Sequence, residues 1–162
     1  MRSRAVTLAL CAMVLSAIGF QAGSAFAGTA NSSWDRFATF GGSGAGQRCA
    51  AHAATVVTPP GVINAYGKVR WSEGDPCDSA NAPGGFIGVR EWLQRGDGTI
   101  CAVRTWTYNG QPAHQIDVST GLGAGTCETW NSLRSRAQGK AWKVHDQEYV
   151  VADDVVISPY AS

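Results

Sequence analysis

From Ala65 to Ser72 apolar and polar positions alternate, with Gly67, Val69 and Trp71 on one face and Tyr66, Lys68, Arg70 and Ser72 on the other. A period of two is the mark of a β-strand with one buried face. Phe86 to Arg95 repeats the pattern, with Ile87, Val89 and Leu93 on one side and Phe86 and Trp92 on the opposite one. Thr99–Tyr108 and Gln111–Val118 follow, the latter with His114, Ile116 and Val118 sharing a face. Between these segments stand Gly96-Asp97-Gly98 and Asn109-Gly110, residues that suit tight hairpin turns, so Phe86–Val118 is expected to form a three-stranded meander. Upstream, Ala53–Thr58 is rich in β-branched residues and ends at Pro59-Pro60-Gly61. Downstream, Lys140–His145 and Glu148–Ile157 read as closing strands, broken at Asp153-Asp154. Asn131–Gly139 predicts a short helical turn, with Ser132 as N-cap and Gly139 as stop. No repeat, heptad or long amphipathic helix is present. About seven short strands joined by turns predict an all-β fold, a small antiparallel β-sandwich or partly open barrel.

The start of the chain has a different pattern. Arg2 and Arg4 precede an apolar run from Ala5 to Phe20, and Ala25-Phe26-Ala27 places small residues where a signal peptidase cleaves. At about 16 residues the run is shorter than the roughly 20 needed to span a bilayer as a mature helix. Residues 1–27 therefore read as a secretory signal peptide, and the product is expected to be extracellular or surface-associated with no membrane span. Residues 28–48 read as a flexible leader containing the glycine loop Gly41–Gly46, and residues 49–162 as a single β-domain. Gly41 and Gly46 have phosphate-loop spacing, but Gln47-Arg48 replaces the Lys-Ser/Thr that would hold phosphate and magnesium.

Cleavage changes the cysteine count. Of five cysteines, Cys11 leaves with the signal, and Cys49, Cys77, Cys101 and Cys127 remain. An even number in a small exported domain points to two disulfides. Three pairings are open; Cys49–Cys77 with Cys101–Cys127 is preferred because each closes a moderate loop between neighbouring strands. The charge changes too. The chain carries 13 basic and 12 acidic residues, and loss of Arg2 and Arg4 leaves one more acid than base. A balance so close to zero argues against a dedicated nucleic-acid binder.

Candidate chemistry is sparse. His114, Asp117 and Ser119 lie close in sequence, but His114 and Asp117 are three apart on a strand and point to opposite faces, and no G-x-S-x-G elbow is present. His52, His114 and His145 would serve a small extracellular hydrolase only if they met in one cleft. Cys49-x-x-His52 is half a metal motif without a second half, and Asp75, Asp78, Asp153 and Asp154 follow no calcium-loop pattern. Adjacent Asp153 and Asp154 suit a solvated turn better than an acid/base pair. Arg95-Gly96-Asp97 is ordinary turn chemistry. No catalytic residue, metal or cofactor is assigned.

The tryptophans stand out. All six follow the signal: Trp34, Trp71, Trp92, Trp106, Trp130 and Trp142. They either fill the core or form an exposed platform on which sugar rings stack while polar neighbours orient the hydroxyls. The candidate platform is Arg90, Trp92 and Gln94 on one strand with Arg104, Trp106 and Tyr108 on the next.

The segments Gly98-Thr99-Ile100-Cys101-Ala102-Val103 and Gly125-Thr126-Cys127-Glu128-Thr129-Trp130 resemble small secreted actinobacterial proteins of the spore-associated protein A type. The likeness covers about a third of the mature domain and carries no site residues. It implies a non-enzymatic cell-surface or spore-surface protein. The expected function is thus a secreted β-domain that binds a surface ligand, with cell-wall or environmental polysaccharide as the first candidate. A protease inhibitor presenting a disulfide-held loop (Asp75–Gly84 or Ser119–Thr126) to an extracellular protease is the second, and a small hydrolase the third.

Overall fold

The computed structural model describes residues 28–41, 46–58, 63–74, 77–121 and 132–161. These form eleven strands: β1 (Gly28–Asn31), β2 (Asp35–Phe40), β3 (Arg48–Thr58), β4 (Asn64–Glu73), β5 (Asp78–Ser79), β6 (Ile87–Arg95), β7 (Ile100–Tyr108), β8 (Gln115–Gly121), β9 (Leu133–Lys143), β10 (Glu148–Val151) and β11 (Val156–Ile157). The described residues contain no α-helix.

All pairings between these strands are antiparallel, and they build two sheets. In the first, β3 and β4 pair along almost their whole lengths, from Arg48↔Glu73 to Val57↔Asn64. β1 and β2 lie end to end on the free edge of β3, and β8 and β5 do the same on β4. In the second sheet β6 is central, between β7 and β9. β10 and β11 run back along the outer edge of β9, and the register is kept to the C-terminus by an Ala161–Leu133 bridge.

The strand periodicity decides what lies between the sheets. Ala50, His52, Ala54 and Val56 of β3 stand opposite Trp71, Val69, Gly67 and Ala65 of β4, and every one of these side-chain positions points inward. The second sheet answers with Ile87, Val89, Glu91 and Leu93 of β6 and with Leu133, Ser135, Ala137 and Ala141 of β9, all fully buried. Many inward residues are alanine or glycine, so the backbones come close and a few large groups fill the remaining space. Trp71, with no exposed surface, packs against Phe40 and Phe86.

The sandwich is stapled. Cys49 and Cys77 form a disulfide, with Cα atoms 6.1 Å apart and 28 residues of separation. Cys101 is also disulfide-bonded; its expected partner, Cys127, lies outside the described residues.

The fold differs from the expected elements in several places: β3 begins at Arg48, ahead of the expected Ala53, and Asp78–Ser79 in the expected loop is a short strand. Gly28–Asn31 and Asp35–Phe40, read as leader, are strands; β3 is long enough to pair with both on one edge, which draws residues of weak pattern into the sheet. Leu133–Lys143, expected to begin with a helical turn, is one of the two longest strands, because alternate residues meet the core over its whole length. The hairpin at Gly96–Gly98 forms, joining β6 to β7. The one at Asn109-Gly110 does not, since β7 lies in the second sheet and β8 pairs with β4 in the first. Asn109 is buried instead and acts as a connector. Its amide oxygen accepts from Ile87 N–H at 3.0 Å, and its NH2 donates to the carbonyls of Pro83 (2.7 Å), Gln111 (3.1 Å) and Ala82 (3.2 Å). The signal segment, the loop around Gly41–Gly46 at positions 42–45, and most of the Ser119–Thr126 loop lie outside the described residues.

Candidate functional site

The outward face of the second sheet is built by register. Gly88, Arg90, Trp92 and Gln94 of β6 stand opposite Lys140, Gln138, Arg136 and Arg134 of β9. On one flank β7 adds Val103, paired with Trp92, and Tyr108, paired with Gly88. On the other flank Tyr149 and Val151 of β10 stand opposite Trp142 and Lys140, and Ile157 of β11 opposite Arg136.

On this face aromatic rings and cations alternate. The Arg90 guanidinium lies 4.8 Å from the Trp92 ring and 5.0 Å from the Trp106 ring. It is held in place by Gln138, whose Oε1 accepts from Arg90 Nε at 2.8 Å and also from Nη2. Gln138 is fixed in turn by donating to the Ala152 carbonyl at 2.5 Å. Next along the face, Lys140 Nζ sits 4.4 Å from Trp106, 4.4 Å from Tyr108 and 4.6 Å from Tyr149. Its stem crosses Gly88, where a Cβ would stand 3.1 Å from the lysine Cγ and Cε. The ring quadrupoles favour both cations, by about 0.5–2 kcal/mol per contact. Trp142 and Tyr108 flank Tyr149 at 4.9 and 5.5 Å, and the Tyr149 hydroxyl donates to the Gly85 carbonyl at 2.5 Å. Burial, with the Tyr108 phenol beside it, pushes the Tyr149 phenol above its ordinary value.

The face is cationic and partly apolar. Arg90, Arg134, Arg136 and Lys140 occupy outward positions of β6 and β9, and no carboxylate does. Val103 (55% exposed), Tyr108 (39%), Val151 (41%) and Ile157 (40%) are among the few large apolar residues exposed on the described surface, and all lie on this face.

Four of the five residues read as a ligand platform thus stand together: Arg90, Trp92, Trp106 and Tyr108. Arg104 does not join them. β-Bulges between β6 and β7 shift the register so that Val103 pairs with Trp92 and Arg104 with the inward-pointing Glu91. One inserted residue moves a side chain to the other face. Lys140, Gln138, Trp142 and Tyr149 were not legible as members, because their place depends on which strand pairs with β6. The remaining tryptophans separate: Trp71 is core, Trp34 lies under Arg70 (4.6 Å) on the first sheet, and Trp130 lies outside the described residues.

The histidines separate as well. His52 is fully buried, whereas His114 and His145 are exposed and do not line the cleft that His52 faces. A hydrolase needing all three in one cleft loses its premise. Asp117 takes its hydrogen bond from Gln115 (2.6 Å). Among the described residues no group of three or more His, Cys, Asp or Glu is placed to hold a metal ion, and no helix is long and apolar enough to cross a membrane. In the loop considered for protease inhibition, Ala82 is buried and bridges Ala113, which ties the described part of that loop to the body.

No family model matches this chain, nor does any curated protein or solved structure.

Proposed function

We propose that this is a secreted, non-enzymatic binding domain that works through the outward face of its second sheet, and that its ligand is a polysaccharide. The observation that carries the reading is the row Trp92–Arg90–Trp106–Lys140–Tyr108–Tyr149, aromatic side chains locked in place by two cations. A ligand that lies along this row meets aromatic rings and exposed apolar carbons, with the arginine N–H groups near its hydroxyls. Because the side chains already hold fixed geometries, little rotamer freedom is lost on binding. The disulfide supports export, since such bonds persist in oxidising compartments. The surface role implied by the resemblance to the spore-associated protein A type agrees with this reading.

The test is a pull-down on insoluble glycans (cellulose, chitin, purified bacterial wall) with tryptophan fluorescence followed on soluble fragments. Binding to at least one glycan, weakened about tenfold or more by Trp106→Ala and unchanged by Trp34→Phe, is expected. Absence of binding to every glycan, or equal binding by Trp106→Ala, would sink the proposal.

A further inference from the structure

At one edge of the sandwich, between β2 and the β10–β11 connection, a cleft of about 260 Å³ opens to solvent. Asp35, Arg36, Phe37, His52, Asp153 and Asp154 line it. This volume lies just below the roughly 300–1,000 Å³ of pockets for drug-sized ligands, so it suits one small polar group.

The floor is the unusual part. The His52 side chain has no exposed surface, yet its Nε2 has no hydrogen-bond partner. Its nearest acceptor is Asp35 Oδ2 at 3.5 Å, without hydrogen-bond geometry. The other ring nitrogen is committed: Nδ1 accepts from the backbone N–H of Gly139 at 3.1 Å, across the two sheets. That bond occupies the Nδ1 lone pair and fixes the neutral tautomer with its proton on Nε2. Edge contact with Phe37, 5.1 Å between ring centroids, holds the imidazole plane. A buried N–H donor without an acceptor costs on the order of 1–3 kcal/mol. Natural cores rarely carry one without a ligand or water to receive it.

The tautomer also discriminates among ligands. A metal ion needs a lone pair at Nε2, and this nitrogen presents a proton. The ligand must therefore offer an acceptor to the imidazole. Around the rim three carboxylates outnumber the single cation Arg36, so the ligand must also carry donors and gains from positive charge.

We propose that this cleft binds a small organic cation with a hydroxyl beside its ammonium group, an amino sugar with a free amine being the chemistry that fits. The hydroxyl oxygen accepts from His52 Nε2–H, and the ammonium donates to Asp35, Asp153 and Asp154. The site is separate from the aromatic face and stands or falls without it.

Glucosamine, N-acetylglucosamine, glucose and calcium chloride are titrated separately into the full secreted domain while the His52 imidazole signals are followed by NMR. Glucosamine is expected to shift them saturably, with N-acetylglucosamine and glucose at least tenfold weaker because neither carries the charge. Asp153→Asn/Asp154→Asn, exposed changes that spare the core, is expected to lower glucosamine affinity tenfold or more while leaving the His52–Gly139 signals in place. A shift by calcium in preference to glucosamine would overturn the proposal in favour of a metal site. Equal shifts by all three sugars, no shift by any, or unchanged affinity in the double variant would also overturn it.

Discussion

Gly67 of β4 lies directly across the core from Glu91 of β6: a Cβ placed at Gly67 would stand 2.9 Å from the Cβ of Glu91. The missing side chain on one sheet makes room for a carboxyl group on the other. Glu91 has no exposed surface and accepts hydrogen bonds from Thr120 Oγ1 and, at 3.5 Å, from Ser135 Oγ. The Ser135 hydroxyl also reaches the Tyr66 carbonyl at 3.1 Å.

This carboxyl makes stability fall as pH rises. Burial is the largest influence and pushes its pKa up from 4.5 to about 7, against the opposing hydrogen bonds from Thr120 and Ser135. Below pH 4.5 the group is neutral in both folded and unfolded chains, and its contribution is at full value. Between 4.5 and 7 the unfolded chain ionises first, and roughly 3 kcal/mol is lost by the time the folded group has titrated. Glu91→Gln keeps the shape without the charge. The variant should match the parent at pH 4 and exceed it by up to about 3 kcal/mol at pH 8 in urea unfolding. An equal pH slope in both proteins would show that Glu91 is not the cause.

His52 acts from the acid side. Burial holds its pKa below the ordinary 6.5, while the nearby carboxylates of Asp35 and Asp154 pull it the other way. As pH falls through 6.5 the unfolded chain takes the proton first, so stability contributed by the neutral imidazole declines toward the folded pKa. An NMR titration should give a midpoint below 6.5, with the Gly139 amide signal following the same curve. A midpoint at or above 6.5 contradicts this burial.

Asn109 should be sensitive out of proportion to its size. Asn109→Ala takes the acceptor from the Ile87 N–H and one donor from each of three carbonyls, of which those of Ala82 and Pro83 keep the backbone N–H groups of Ala113 and Phe86. A loss of about 2–4 kcal/mol is expected, against under 1 kcal/mol for the exposed Gly110→Ala next to it. Chemical denaturation of both variants provides the check, and similar losses would mean that Asn109 is merely a turn residue.

The Cys49–Cys77 bridge ties the start of β3 to the segment before β5. Its loop length implies about 3–4 kcal/mol from restriction of the unfolded chain. Cys49→Ala/Cys77→Ala should lower the denaturant midpoint accordingly without changing the β-sheet circular dichroism signal. A loss below about 1 kcal/mol would mean that the bridge adds little beyond the core.

Much of the architecture was legible from alternation because it is local chemistry. Gly67, Val69 and Trp71 fall on one face whatever their partners, and so do Ile87, Val89 and Leu93. The same parity puts Glu91 inside, a signal present in Ile87–Leu93 but easily passed over, since a carboxylate there looks misplaced until Gly67, Thr120 and Ser135 are seen around it. Parity also grouped Arg90 and Trp92 on one strand and Trp106 and Tyr108 on the next.

Beyond the Gly96–Gly98 hairpin, which turn chemistry announced, pairing was not legible, because a strand's edge carries the same N–H and C=O groups whichever neighbour it meets. Only the tertiary structure decided that β9 lies beside β6 and brings Lys140 among Trp106, Tyr108 and Tyr149. A bulge, invisible to a count of two, turned Arg104 away. The same holds for His52: the chain alone placed it just ahead of the expected strand Ala53–Thr58, but the packing of two sheets set Gly139 against one nitrogen and left the other facing acid. By itself the sequence determined which side chains share a face, since that follows from the geometry of a single strand. Which faces and edges meet depends on free energy summed over both sheets, and so was decided only by the folded whole.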